Sequence, residues 1–94
     1  MLTLPIKKKW FDMIKSGEKK EEYREIKPYY QFRLNEKAYT GTHYIRLRNG
    51  YSKSSPTLEC DCYIEIDYGK PEWGAEPNKL YYVLKILSVK EVKE

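Results

Sequence analysis

Histidine and cysteine, the usual ligands of structural zinc, are scarce in this chain of 94 residues. His43 is the only histidine, and Cys60 and Cys62 are the only cysteines. Two cysteines without a second pair form neither a disulfide framework nor a four-ligand zinc site, so we expect both to be buried free thiols. We predict no metal site and no cofactor.

Long apolar runs are lacking too. No segment approaches the roughly 18 apolar residues that a membrane span needs, and no signal-peptide pattern follows Met1. Glycine-rich phosphate loops, HExxH and nucleophile-elbow motifs are also missing. We therefore expect a cytoplasmic, monomeric protein that forms a single domain over residues 1–94 and does not contact membranes.

Charged and aromatic side chains, by contrast, are plentiful. The chain has 18 Lys or Arg and 14 Asp or Glu, a net charge of +4, and it has ten tyrosines. Residues 1–50 carry a net charge of +6 and residues 51–94 carry −2. A basic half suits a nucleic-acid partner, and tyrosine rings suit base stacking. A solvated surface and sheet packing account for both features equally well.

Periodicity indicates a strand-rich chain with two short helices. It predicts strands at Leu2–Ile6, Thr42–Arg48, Leu58–Tyr68 and Leu80–Val89, and helices at Lys7–Lys15 and from Pro28 to Leu34. Asn49-Gly50 is a turn signal, and we expect Val92 to Glu94 to fray. These elements predict an α+β fold, a small mixed β-barrel of about five to six strands with the two helices covering its ends.

A dense run of charge, Ser16 to Glu25, joins the two helices. Gly17 can end the first helix in the left-handed conformation, so the chain turns into Lys19. In a following strand, Glu22 and Arg24 would share a face because side chains alternate. Such a cluster either binds a polar, anionic ligand or forms ion pairs on a solvated surface.

The spacing Gly17-x-Lys19-x-x-Glu22-x-Arg24, after a helix with Trp10-Phe11, resembles the signature of the ASCH domain, a PUA-like family. The order of strand, helix, signature strand and long final strand is also similar, so the resemblance covers nearly the whole chain. It implies a PUA-like barrel whose signature faces a cleft for RNA or a nucleotide-like ligand.

That resemblance implies roles for individual residues. Lys19 and Arg24 would contact phosphate or a base edge, Glu22 would accept a hydrogen bond or orient Arg24, and Tyr30 or Trp73 could stack on a base. The alternation of the third strand adds Arg46 and Arg48 as candidate phosphate or base contacts, with surface ion pairs as the alternative. For both aromatic residues, packing over an end of the barrel is the alternative role.

Two other functions stay open. Some members of the family are metal-independent ribonucleases, where Lys19 would stabilise charge and Glu22 would be the general base. One branch is an amidohydrolase that acts on an acylated cytidine, but its nucleophilic threonine is replaced here by Glu22. Thirdly, the charge run could be a set of ion pairs and the aromatic loop around Trp73 could bind a protein partner.

Overall fold

A computed structural model describes residues 1–92. The chain has an α+β fold: a five-stranded mixed sheet curls into a half-barrel and is accompanied by two short helices. The elements in chain order are β1 (Thr3–Pro5), α1 (Lys8–Ser16), β2 (Glu21–Glu25), α2 (Pro28–Leu34), β3 (Thr42–Arg48), β4 (Thr57–Tyr68) and β5 (Leu80–Val92), with a 3-10 turn at Pro71–Trp73. The predicted fold class is confirmed. Of the residues expected to fray, Val92 belongs to β5, and residues 93 and 94 lie outside the described part of the chain.

The strands are ordered β1-β3-β4-β5-β2. Strand β1 runs parallel to β3, and every other neighbouring pair is antiparallel. The first and second strands of the chain therefore form the two edges of the sheet. Pro5, which has no N–H to donate, ends β1, and such a residue suits an edge strand.

Alternating apolar residues give β3 and β4 one buried face. Ile45 and Leu47 of β3 point into the core, as do the alternate residues of β4, namely Leu58, Cys60, Cys62 and Ile64. Ile66 continues the same spacing in β4 but is 37% exposed. The buried thiols of Cys60 and Cys62 belong to the same core, which confirms that prediction.

The first half of β5 is apolar on both faces because both faces are covered there. Tyr82 and Leu84 pack in the main core, whereas Tyr81 and Val83 pack on the outer face against Ala75 of the β4–β5 loop. Burial on two sides explains why this part of the apolar run is continuous instead of alternating. Farther along the strand, Leu87 is 57% exposed. In the sheet, β5 lies between β4 and β2.

Helix α1 sends Phe11 and Ile14 into the core, and α2 sends Leu34 there. Gly17 ends α1 with φ +87°, and its N–H donates to the Ile14 carbonyl at 3.1 Å, so the predicted helix end is confirmed. Neither helix in residues 1–92 is long and apolar enough to cross a membrane.

Candidate functional site

A cleft of about 690 Å³ opens where the curled sheet does not close. Edge strand β2 and the end of edge strand β1 both contribute to its walls. It is lined by Pro5, Ile6, Lys7, Trp10, Lys19, Glu22, Tyr23, Arg24, Glu25, Lys27, Tyr30, Asn49, Gly50, Tyr51, Trp73 and Gly74. The lining carries four basic and two acidic side chains, a net charge of +2, together with five aromatic rings.

Three charged side chains of the predicted signature are buried at this cleft. Lys19, Glu22 and Arg24 are only 2%, 5% and 8% exposed. The left-handed turn at Gly17 and a hydrogen bond from the Lys19 N–H to the Met13 carbonyl (2.9 Å) bring Lys19 back under α1. Alternation along β2 then points Glu22 and Arg24 to the same side.

These three residues, which we call the buried triad, form a linked pair of salt bridges. The Lys19 Nζ lies 2.7 Å from Glu22 Oε1, and the Arg24 Nη2 lies 2.6 Å from Glu22 Oε2. Both carboxylate oxygens are therefore engaged by cations. Two cations and one carboxylate leave the buried triad with a net charge of +1.

Lys19 has further contacts that fix its ammonium group. It donates to the Trp73 carbonyl at 2.8 Å and lies 4.2 Å from the centre of the Trp10 ring. Burial lowers the pKa of Lys19 below the ordinary value of 10.5, and the adjacent Glu22 carboxylate offsets part of this shift. Its Nζ also lies 5.5 Å from the centre of the Tyr23 ring, so the ammonium contacts one carboxylate, one carbonyl dipole and two ring faces.

Arg24 is less completely engaged. Besides Glu22, it donates to the Tyr30 hydroxyl at 3.4 Å, and its guanidinium carbon lies 5.8 Å from the Tyr30 ring centre. A guanidinium has five N–H donors, and within residues 1–92 only these two acceptors receive hydrogen bonds from it. Arg24 can therefore donate to a ligand without leaving Glu22.

The loop that carries Trp73 forms one wall of the cleft and is fastened to the outer face of β2 and β5. The Tyr23 hydroxyl accepts from the Lys70 N–H at 2.9 Å and donates to Glu21 at 2.7 Å. Burial raises the pKa of Tyr23, consistent with a phenol held neutral in this position. At Gly74 (φ +101°) the backbone passes so close to Trp10 that an added Cβ would lie 2.9 Å from the ring.

The predicted site residues divide into two groups. Lys19, Glu22, Arg24, Tyr30 and Trp73 all line the cleft. Trp73 is half-buried, and its carbonyl accepts a hydrogen bond from Lys19.

Arg46 and Arg48 lie elsewhere, on the outer face of β3. Two nitrogens of Arg46 contact Glu59 Oε2 at 2.8 Å, and Arg48 Nε lies 3.4 Å from the Thr57 hydroxyl. Glu59 and Thr57 face them directly across the β3–β4 pair. The structure therefore does not bring these arginines together with the other five residues, and their role in ligand binding stays a prediction separate from the cleft.

Sequence reasoning missed several lining residues. The lining residues absent from the predicted site include Lys7, Trp10, Lys27, Asn49 and Tyr51. The excess of lysine at the start of α1 is a signal for Lys7, because cations are unfavourable beside a helix N-terminus.

The chemistry that the cleft offers is that of binding and electrostatic stabilisation. Its lining contains no Ser, Thr, Cys, His or Asp among the described residues. Across residues 1–92, no group of three or more His, Cys, Asp or Glu side chains is arranged to hold a metal ion. What converges on the cleft is positive charge, hydrogen-bond donors and ring faces.

Comparison of the chain with protein-family models, with curated proteins and with solved structures finds no match.

Proposed function

We propose that the cleft binds RNA or a nucleotide-like ligand, as the resemblance to an ASCH domain implies. The observation that carries this proposal is the buried triad, whose net positive charge lies at a cleft walled by aromatic rings. A surface ion-pair lattice, the simpler alternative, would leave these three side chains in solvent.

The charge of the buried triad favours an anionic ligand. Burying a charge without a counter-charge is costly, and one of the two cations has no carboxylate of its own. A phosphate group would supply the missing negative charge and would accept from the open donors of Arg24. Lys7 and Lys27 at the same cleft could contact a further phosphate of a longer chain.

The aromatic rings and the size favour a ligand with a flat ring. Trp10, Tyr30 and Trp73 line the cleft around the triad and are half-buried, so part of each residue stays accessible. Stacking on such surfaces is a common way to hold single-stranded bases. A volume of about 690 Å³ lies within the usual range of small-molecule sites, roughly 300 to 1,000 Å³.

Binding is favoured over hydrolysis by the position of Glu22. A general base needs an oxygen free to take a proton, and both Glu22 oxygens are held by cations. The threonine that the amidohydrolase mechanism would use is Glu22 in this chain, and no other Ser, Thr or Cys of residues 1–92 lines the cleft. Lys19 and Glu22 therefore act in this proposal as binding and orienting groups.

The test compares ligand binding by wild type with that of a neutral triad variant, Lys19→Met/Glu22→Gln/Arg24→Met. Fluorescence anisotropy with short single-stranded RNAs and labelled nucleotides, at low and physiological salt, measures the affinity. The matched distal variant Lys37→Met/Lys90→Met/Glu36→Gln makes the same change in charge away from the cleft. We expect binding by wild type and by the distal variant, and loss of binding by the neutral triad variant.

Two results would contradict the proposal. One is equal affinity and equal salt dependence in wild type and the neutral triad variant, and the other is no binding by wild type at either salt concentration. Chromatography of the RNA after prolonged incubation with metal chelator separates binding from cleavage. If wild type cleaves RNA and the Glu22→Gln variant does not, at a temperature where circular dichroism shows that this variant is folded, a ribonuclease function would replace the binding function.

A further inference from the structure

Asn49 is the only neutral amide side chain that lines the cleft, and within residues 1–92 this amide makes no hydrogen bond. Every other polar side chain in the lining is a charged group, a tyrosine or a tryptophan. The primary amide offers one acceptor oxygen and two N–H donors side by side. It is thus an uncommitted donor–acceptor pair beside a positively charged cavity.

The backbone around Asn49 is held in place by hydrogen bonds. The Asn49 N–H donates to the Pro56 carbonyl at 2.8 Å, and the Ser55 N–H donates to the Ser52 carbonyl at 3.0 Å. Gly50 has a φ of +132°, which glycine adopts readily because it has no Cβ. A Cβ added there would also lie 2.3 Å from the Ser55 Oγ. The loop therefore presents Asn49 to the cleft from a fixed backbone.

Tyr51 follows on the same loop, lines the same cleft and is 98% exposed. Within the described residues, the Tyr51 ring makes no contact with another aromatic ring and no cation–π contact. An exposed ring beside an open amide suits a planar heterocycle, since the ring can cover a face and the amide can bond an edge.

We propose that Asn49 hydrogen-bonds the edge of a nucleobase whose phosphate is held by Lys19 and Arg24, and that Tyr51 covers the base. This inference rests on the proposed function and narrows it, because the ligand then needs a base and not only an anion. Nucleobase edges present adjacent donors and acceptors that an amide can pair with in a bidentate manner. A sugar phosphate supplies the anion but no such edge.

The experiment measures the affinities of adenosine, cytidine, guanosine and uridine 5′-monophosphates and of ribose 5-phosphate by calorimetry. In Asn49→Ala, we expect the tightest-binding nucleotide to lose about ten-fold in affinity, the usual scale of a bidentate amide contact. Affinity for ribose 5-phosphate should not change. Tyr51→Ala should also weaken only the nucleotides, and Tyr68→Ala, an exposed tyrosine outside the cleft, serves as its control.

Asn49→Asp gives a second, independent readout. A carboxylate has two acceptors and matches the adjacent N1–H and N2–H donors of guanine, so the affinity for guanosine monophosphate should rise relative to the other three nucleotides. Dividing each nucleotide affinity by the affinity for ribose 5-phosphate corrects for the negative charge that the substitution adds. Asn78→Asp, on a loop outside the cleft lining, adds the same charge without facing the ligand.

The outcomes separate this inference from the function on which it rests. If wild type binds nucleotides but Asn49→Ala leaves their affinity relative to ribose 5-phosphate unchanged, and Asn49→Asp leaves the order of the four bases unchanged, the inference is overturned and the anion site stands. If wild type binds neither nucleotides nor RNA, the proposed function fails and this inference with it. Thermal unfolding of each variant confirms that the loop substitution leaves the protein folded.

Discussion

Glu22→Gln should destabilise the protein strongly, because the substitution removes the only carboxylate of the buried triad and changes little else in shape. Lys19 and Arg24, at 2% and 8% exposure, would then be two buried cations without a counter-charge. Breaking a buried ion pair by removing one partner costs about 3–5 kcal/mol. For a domain of this length each kcal/mol lowers the unfolding midpoint by roughly 4–8 °C, so we expect a drop of at least about 12 °C.

The neutral triad variant should regain most of that loss. Replacing a buried ionic group by well-packed apolar residues of similar volume is often neutral or stabilising by about 1–4 kcal/mol, because the desolvation cost disappears with the charges. In this variant only the uncharged amide at position 22 stays polar, and an amide costs far less to bury than an unpaired charge. Lys19→Met/Glu22→Gln/Arg24→Met should therefore unfold near the wild-type midpoint or above it, although it contains the damaging Glu22→Gln. A site kept for stability alone would show the opposite order.

Urea denaturation followed by circular dichroism gives the free energy of unfolding of wild type, Glu22→Gln and the neutral triad variant. Equal m-values would show that the same surface is exposed in each case. The reasoning is refuted if Glu22→Gln costs less than about 1 kcal/mol, the value of an exposed pair. It is also refuted if the neutral triad variant is less stable than Glu22→Gln, since the charges would then contribute net stability.

Two more predictions follow from the same cleft. Because burial lowers the pKa of Lys19, the unfolded chain binds more protons than the folded chain at alkaline pH below 10.5, so the free energy of unfolding should rise with pH there. The free energy of unfolding of wild type minus that of Lys19→Met should therefore increase with pH over this range, and a difference that stays constant would contradict the lowered pKa. Gly74→Ala should lower both the unfolding midpoint and the affinity for nucleotides, because the new Cβ would force the loop away from Trp10. The control is Gly41→Ala, which has a similar positive φ but nothing within 4 Å of the new Cβ, so it should cost only the backbone strain of about 1–2 kcal/mol and leave the affinity unchanged. Equal effects of the two substitutions would show that the contact between Gly74 and Trp10 is unimportant.

Much of the fold could be predicted because its signals are local. Alternation set the buried faces of β3 and β4, Gly17 marked the end of α1, and Pro28 marked the start of α2. The order of strands has no such local signal. That β1 pairs in parallel with β3 and leaves β2 at the far edge depends on contacts between distant segments.

The candidate site shows the same division. The buried triad could be predicted as a cluster, because Lys19, Glu22 and Arg24 lie within six residues and the last two share one face of β2. Trp10, Asn49 and Trp73 come from three other segments that only the folded chain brings together. Arg46 and Arg48 show what alternation in the sequence does not predict. It separates the two faces of a strand, but it does not tell which face lines a cleft.

The position of the charges on an edge strand also bears on how this protein behaves among copies of itself. An uncovered sheet edge is a template for another strand, and inward-pointing charged side chains and proline are two ways in which proteins block such addition. Strand β2 carries four charged residues out of five, and β1 ends at Pro5, so both edges of the half-barrel disfavour the addition of a strand from another copy. A variant made more stable by neutralising the triad would lose part of this protection, and its solubility at high concentration should fall even as its unfolding midpoint holds or rises.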